Sequence, residues 1–269
     1  MLGLTSGAIT SFIPLSLIIS SLALLTLFII VERNRVHPML DLKLFKIRTF
    51  TAGNISNLLN GISFASLAFL ISTYLEIIAG ESPIQAGLSL IPIDLTLILV
   101  GPISGWLSDK IGARILSTTG LVVTSVALII LSNLSVKLDY DILLLGLVLG
   151  GLGVGLFRSP NASSVMGSVP SEKRGVAAGV RSTIINTSMA LSIPFSIAII
   201  STTIPSSEIS SMINNRGGTG SIKQITELVQ GIRNAFLASA VLNIIAAVIS
   251  YLREEKHRVG SSKLPHLVE

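Results

Sequence analysis

The chain has 269 residues, of which 50% are hydrophobic and only 12% are charged, and its mean hydropathy is +0.79. A soluble domain carries about 25% charged residues, so this chain lacks the polar side chains to cover a folded surface in water, and a soluble enzyme is excluded. Because the chain has no cysteine and its three histidines match no metal-binding spacing, we expect neither a disulfide nor a metal site, and we expect no cofactor.

Long apolar runs predict an all-α integral membrane protein. A spanning helix needs about 20 apolar residues, so a chain of this length can hold about six to eight spans. We predict seven, at about residues 9–31, 49–75, 83–107, 115–135, 142–168, 176–203 and 232–252. The segment between the last two spans is the one long loop, in which residues 222–230 could form a short interfacial helix.

The distribution of positive charge predicts the orientation of the spans. If the loop after the first span is cytoplasmic, 14 of the 19 Lys and Arg residues lie inside, with Arg181 at a span edge. Four lie outside, and Arg158 is embedded in the fifth span. Such an excess is what the positive-inside rule predicts, so we expect the N-terminus outside and the C-terminus in the cytoplasm. The net positive charge therefore indicates membrane topology and does not predict a nucleic-acid partner.

The short loop between the third and fourth spans has the pattern Gly-x-Leu-x-Asp-x-x-Gly-x-Arg, from Gly105 to Arg114. Gly105 permits close helix approach, and Gly112 permits the backbone conformation that a tight turn needs. Asp109 can cap the following helix or pair with Arg114. An ordinary charged turn is the alternative interpretation.

This loop resembles the signature loop of the major facilitator superfamily of transporters. Three further segments are similar to the fourteen-helix drug:proton antiporter branch of that superfamily, at residues 37–50, 82–88 and 169–175. The resemblance implies a linker helix and cytoplasmic loop at 1–48, a six-helix C-terminal transporter half at 49–252 and a cytoplasmic tail at 253–269. Since a complete member has twelve or fourteen helices, it also implies that this chain is a partial transporter that needs an N-terminal half.

Three asparagines, Asn54, Asn57 and Asn60, follow one another at a spacing of three in the second span. This spacing places them on one face of a helix. An amide in lipid needs a partner or water. The asparagines therefore either bond to neighbouring helices or line an aqueous cavity. The resemblance implies the substrate cavity, because the first helix of the C-terminal half lines the transport path.

Two charged residues lie well inside predicted spans, far from either end. A buried arginine costs at least about 2.5–3.5 kcal/mol on insertion scales, so Arg158 should face protein or water with a partner. It could bind an anionic substrate group or pair with an acid, or its side chain could extend towards the cytoplasm. The superfamily is usually apolar at this position.

Asp94, the one acid within a span, is the candidate for proton coupling, with a structural role or a pair with Arg158 as alternatives.

A glycine-rich run occupies the fifth span. No strand precedes it and it lies within a span, so a nucleotide-binding loop is rejected. Gly146 with Gly150, and Gly151 with Gly155, form two small-xxx-small pairs that allow helices to pack closely.

The resemblance implies multidrug-type efflux of small amphipathic compounds across the cell membrane by proton-coupled alternating access, in which one half rocks against the other. Its partners would be a small-molecule substrate, protons, the lipid bilayer and an N-terminal half, with the loop from Gly105 to Arg114 acting as a cytoplasmic latch. The alternatives are a seven-helix receptor and a non-transporting accessory membrane protein. The last span has no lysine for a retinal Schiff base, and no constellation of catalytic residues predicts an enzyme.

Overall fold

The computed structural model describes residues 42–205 and 222–253, together with nine helical residues between 16 and 31. Most of the predicted first span, residues 9–31, therefore lies outside the described residues, as does the tail beyond 253. Within the described ranges the chain is helical and contains no strand.

A 3₁₀ helix at Leu42–Lys46 precedes seven α-helices in the described ranges. These are α1 (Arg48–Ile77), α2 (Pro83–Ser89), α3 (Ile91–Ile111), α4 (Ala113–Leu131), α5 (Tyr140–Gly167), α6 (Arg174–Ile200) and α7 (Ile222–Tyr251), with a 3₁₀ turn at Ser171–Lys173 before α6. Six stretches are long and apolar enough to cross a membrane, with α2 and α3 counted as one. The all-α membrane class is confirmed, and each of the predicted spans two to seven corresponds to one of these stretches.

Two predicted elements differ from the structure. Residues 222–230 do not form a separate interfacial helix, because Leu228 and Val229 are buried in the bundle and α7 runs through them without a break. The third predicted span is two helices that meet at Leu90. Pro92 lies in the first turn of α3, has no amide hydrogen, and its ring clashes with the carbonyl of Leu88, which favours a break at this point.

The helices form two layers. In the front layer α1 and α5 contact each other, α6 packs on the other side of α1, and α3 packs on the other side of α5. In the back layer α4 and α7 pack together behind α5 and α1. The most apolar windows of α3 and α6 are 11% and 22% buried, whereas those of the other four spans are 44–50% buried. The two flanking helices of the front layer therefore have most of their surface unpacked.

Helix ends that are predicted to lie on the same side of the membrane lie at the same end of the bundle. On the predicted cytoplasmic side, the Arg114 guanidinium lies 4.3 Å from the centre of the Tyr251 ring. On the predicted outer side, the Tyr74 hydroxyl donates to the Ser135 carbonyl at 2.7 Å and the Tyr140 hydroxyl donates to Glu81 at 3.2 Å. The predicted alternation of helix direction is confirmed, while the cytoplasmic assignment of one end follows from charge and stays a prediction.

Glycines let α5 approach both of its neighbours. A Cβ atom on Gly151 would overlap the Ile93 carbonyl of α3, and one on Gly155 would lie 2.9 Å from the Val100 Cβ. On the α4 side, a Cβ atom on Gly153 would lie 2.6 Å from the Thr124 backbone nitrogen. The prediction that the glycine-rich run serves close helix packing is confirmed.

Alanine at position 153 should therefore destabilise the protein. Because the new methyl would meet backbone atoms of α4, which cannot rotate away, we expect Gly153→Ala to lower the free energy of unfolding by about 1–3 kcal/mol. Thermal unfolding in detergent, followed by size exclusion, measures the effect. Gly167→Ala is the matched control, since nothing lies within 4 Å of its Cβ at the end of the same helix. Equal melting temperatures for the two variants would contradict the packing argument.

Candidate functional site

The three asparagines of α1 are buried, and they differ in how their amides are satisfied. The Asn60 Nδ2 donates to the Asn243 Oδ1 of α7 at 2.9 Å, and the Asn54 Nδ2 donates to the Phe50 carbonyl of its own helix at 2.9 Å. The Asn54 Oδ1 and the Asn57 Nδ2 have no hydrogen-bond partner among the described residues. Asn60 thus contributes to helix packing, whereas Asn54 and Asn57 retain polar atoms that can receive a ligand or water.

Serines of α1 strengthen the contact with its neighbours. The hydroxyls of Ser56 and Ser63 donate to carbonyls of α7, and that of Ser66 donates to the Ser192 carbonyl of α6 at 2.9 Å. In hydrocarbon these bonds replace the water that would otherwise satisfy the hydroxyls. Two interpretations of the polar residues of α1 were given, bonding between helices and lining of a cavity. Bonding between helices accounts for Asn60 and the serines.

A double-mutant cycle tests this assignment. We expect Asn60→Ala and Asn243→Ala each to lower the free energy of unfolding by about 1 kcal/mol, because each variant breaks the same amide hydrogen bond. The double variant should lose less than the sum of the two single losses. The melting temperature of the four proteins in detergent gives the coupling, and strictly additive losses would show that the two amides do not interact.

Arg158 is half-buried on α5, and its side chain reaches the middle of the bundle. The guanidinium carbon lies 5.2 Å from the centre of the Phe64 ring, and Phe64 is near the middle of the 30-residue helix α1. A guanidinium over an aromatic face is stabilised electrostatically. The interpretation that Arg158 extends towards the cytoplasm is therefore wrong, because its charged group is held at the depth of Phe64.

Arg181 is a second arginine within the front layer. It lies two turns after the start of α6 and is half-buried, and its Nε atom is buried without a hydrogen-bond partner. Its charge acts on Arg158, as does that of Asp94. Among the described residues, no carboxylate lies within 4.0 Å of either arginine. The predicted pair of Asp94 with Arg158 is therefore not formed as an ion pair.

Asp94 is exposed on an otherwise apolar face of α3. Its exposed neighbours on that face are Ile91, Leu95 and Ile98. It occupies the first turn of α3, directly after the break at Leu90, where the free backbone amides of a helix start favour a negative charge. A carboxyl group thus faces outward from the bundle near the middle of the Pro83–Ile111 stretch.

A polar face of α6 was not recognised in the sequence. Four exposed residues of this helix are polar: Ser182, Thr183, Asn186 and Thr187. They follow Arg181 within a segment otherwise apolar enough to span a membrane. The signal was present as a cluster of hydroxyl and amide side chains inside the predicted span 176–203. Which of them are exposed depends on how α6 packs against α1.

The loop between α3 and α4 shows two of its predicted features. Gly112 has a φ of 92°, which a residue with a side chain adopts only under strain, and a Cβ atom on Gly105 would lie 3.0 Å from the Ser159 Oγ of α5. The predicted roles of Asp109 are wrong. Asp109 lies inside α3 and is exposed, so it neither caps α4 nor forms an ion pair with Arg114, whose guanidinium lies over Tyr251.

The end of α7 carries a buried arginine that connects four helices. Arg253 is 2% exposed, and its guanidinium donates to the Asn161 Oδ1 of α5 at 3.0 Å and to the Ser117 Oγ of α4 at 3.1 Å. The Asn161 Nδ2 donates in turn to the Gly53 carbonyl of α1 at 3.0 Å. Arg253 was predicted to belong to the cytoplasmic tail. That assignment missed its burial, which arises because α4 and α5 converge on the end of α7.

Removal of the Arg253 side chain should weaken the contact of the end of α7 with α4 and α5. We expect Arg253→Ala to lower the free energy of unfolding by about 2–3 kcal/mol, because the buried oxygens of Asn161 and Ser117 lose a charged donor. The matched control is Arg174→Ala, which removes an exposed arginine at the start of α6. Thermal unfolding of both variants measures the difference, and equal shifts would show that burial of Arg253 adds no stability.

The fold and the site together define a multi-pass α-helical membrane protein with polar and charged side chains within its front layer. Residues 54–266 match the sequence profile of the Major Facilitator Superfamily. Because this match covers most of the chain, the protein belongs to that superfamily, as its signature loop predicted. Members of the superfamily are transporters, so the prediction that the chain is not an enzyme is confirmed and the receptor alternative is wrong.

Individual relatives are similar over part of their length. The chain is 35% identical over 177 residues to the riboflavin transporter RibZ of Clostridioides difficile, which covers 66% of this chain and 39% of that protein. It is 30% identical over 184 residues to the quinolone resistance protein NorB of Staphylococcus aureus, a match that covers 64% of this chain and 37% of NorB. It is 29% identical over 161 residues to the uncharacterised transporter YhcA of Bacillus subtilis, which covers 60% of this chain and 30% of YhcA. The chain thus matches less than two fifths of the length of these relatives.

Proposed function

We propose that the chain forms one half of a transporter that moves small amphipathic compounds across the cell membrane by alternating access, as in multidrug efflux. The observation that carries the proposal is the polar front layer, where Arg158, Arg181 and the exposed hydroxyls and amide of α6 lie within membrane-spanning helices. In hydrocarbon such a surface is costly, so it faces water, substrate or another protein segment.

The proposed substrate cavity comprises Asn54, Asn57 and Arg158. Each of the two asparagines has a buried polar atom without a partner, and the Arg158 guanidinium lies at mid-depth. Asn60, although predicted in the cavity, contributes mainly to packing through its bond to Asn243. The relatives named for riboflavin transport and quinolone resistance support a small-molecule substrate.

An N-terminal transporter half is the proposed partner, and the six-helix unit at 49–252 is the C-terminal half. The exposed face of α3 is apolar from Ile91 to Trp106 except at Asp94, and α6 is the other poorly buried helix. Both flanking helices would pack against the missing half, which rocks against this one during transport. The loop with Gly105, Asp109, Gly112 and Arg114 joins α3 to the back layer and would act as the cytoplasmic latch.

Asp94 is the proposed proton carrier, since it is exposed on the face of α3 that would meet the other half. We expect Asp94→Asn to reduce uptake driven by a pH gradient at least about tenfold, because an amide cannot carry the proton. Exchange of labelled for unlabelled substrate without a gradient should persist. The measurement is uptake of labelled riboflavin and of a quinolone into everted vesicles that contain the chain together with an N-terminal transporter half, with and without a protonophore.

Asp141→Asn is the control, because Asp141 is an exposed acid at the outer start of α5. Undiminished gradient-driven uptake by Asp94→Asn would refute the role of this carboxyl group. Uptake no greater than in vesicles that contain the N-terminal half alone would refute transport itself and favour the accessory-protein alternative.

A further inference from the structure

Two arginines lie in the front layer without an acidic partner within 4.0 Å among the described residues. Arg158 contacts the Phe64 ring, and the Nε of Arg181 is buried and makes no hydrogen bond. Arg158 on α5 and Arg181 on α6 lie in the same layer on the two sides of α1, and the positive charge of Arg181 disfavours that of Arg158. Like charges inside a membrane protein need a negative counter-charge.

The depth of Arg181 follows from the register of α1 and α6. A Cβ atom on Gly61 would overlap the side chain of Ser188, and the Ser66 hydroxyl donates to the Ser192 carbonyl, so the two helices run in the same direction. Continuing this register towards the start of both helices places Arg181 level with Asn54. The next turn of α1 carries Asn57, whose Nδ2 is an unpartnered buried donor.

The groups gathered here are mainly hydrogen-bond donors. Two guanidinium groups and the Asn57 amide nitrogen can all donate, and a guanidinium matches the planar, two-oxygen geometry of a carboxylate or phosphate. Asp94 supplies one negative charge in the vicinity, but it is exposed on α3 and forms no ion pair with Arg158. Two positive charges against one negative charge leave the site positive.

We propose that Arg158 and Arg181 form a binding site for an anionic group, so that the preferred substrates are amphipathic compounds with a carboxylate or phosphate. The anion bridges the two guanidinium groups, and the aromatic ring of Phe64 lies beside the apolar part of the ligand. This inference rests on the proposed transport function, whose site it refines.

Matched aromatic probes test the charge preference. We use 2-naphthoate, 2-naphthamide and 2-naphthylmethylammonium, which share one ring system and differ in charge, and measure equilibrium binding to the purified chain in nanodiscs. Empty nanodiscs correct for partition into lipid. We expect naphthoate to bind at least about tenfold more tightly than the other two probes. This comparison needs no variant, so it holds even if a substituted chain fails to fold.

Variants then assign the binding to the two arginines. Arg158→Gln and Arg181→Gln should each weaken naphthoate binding about tenfold or more, and Arg158→Lys should retain most of it. Arg174→Gln, which removes an exposed arginine at the start of α6, should leave binding unchanged. Equal affinity for the three probes, no saturable naphthoate binding, or an equal loss with Arg174→Gln would each overturn the proposal.

The binding assay separates this proposal from the transport proposal. It requires neither a gradient nor movement across the membrane, so selective naphthoate binding without uptake would support the anion site and refute transport by this chain. Uptake of the relatives' compounds together with equal binding of all three probes would refute the anion site alone.

Discussion

Hydrocarbon offers no hydrogen-bond partner, so each polar group on a membrane helix has to be satisfied by another helix, by water or by a ligand. The back of α1 shows the first solution, because Ser56, Asn60 and Ser63 all bond to α7. Among the described residues, buried polar atoms without a partner remain at the front, at the Nδ2 of Asn57 and the Nε of Arg181, and one lies in the back layer, the Ser239 Oγ of α7. The front groups differ from Ser239 in including a charged side chain within a span, and they mark the candidate transport path.

Close packing of the back layer supports this arrangement. Gly120 and Gly153 allow the backbones of α4 and α5 to touch, and Arg253 connects α4, α5 and the end of α7 at one end of the bundle. A unit held at both its middle and its end can move as a rigid body. Under the proposed alternating access, this unit would move against an N-terminal half, and α3 and α6 have the unpacked surface that such a contact needs.

The membrane class, the position of six spans and the superfamily could be predicted from the sequence. Hydropathy reports the length of each span directly, and the turn at Gly112 needs a residue without a side chain whatever its surroundings. The predicted roles of Asp109 and the alternative in which Arg158 extends towards the cytoplasm were wrong, because both depended on where a side chain points. A helix of similar composition could direct Arg158 to the cytoplasm, and only the position of Phe64 on a different helix holds it at mid-depth.

Hydropathy, charge and the signature loop therefore suffice to predict which segments cross the membrane, how they alternate and which superfamily they belong to. The spans follow from local composition, since each is stabilised by its own backbone hydrogen bonds and apolar side chains. Which polar residues have a hydrogen-bond partner depends instead on the packing of the helices. Asn60 and Asn57 lie one turn apart with the same side chain, yet only Asn60 meets a partner, because Asn243 of α7 lies opposite it.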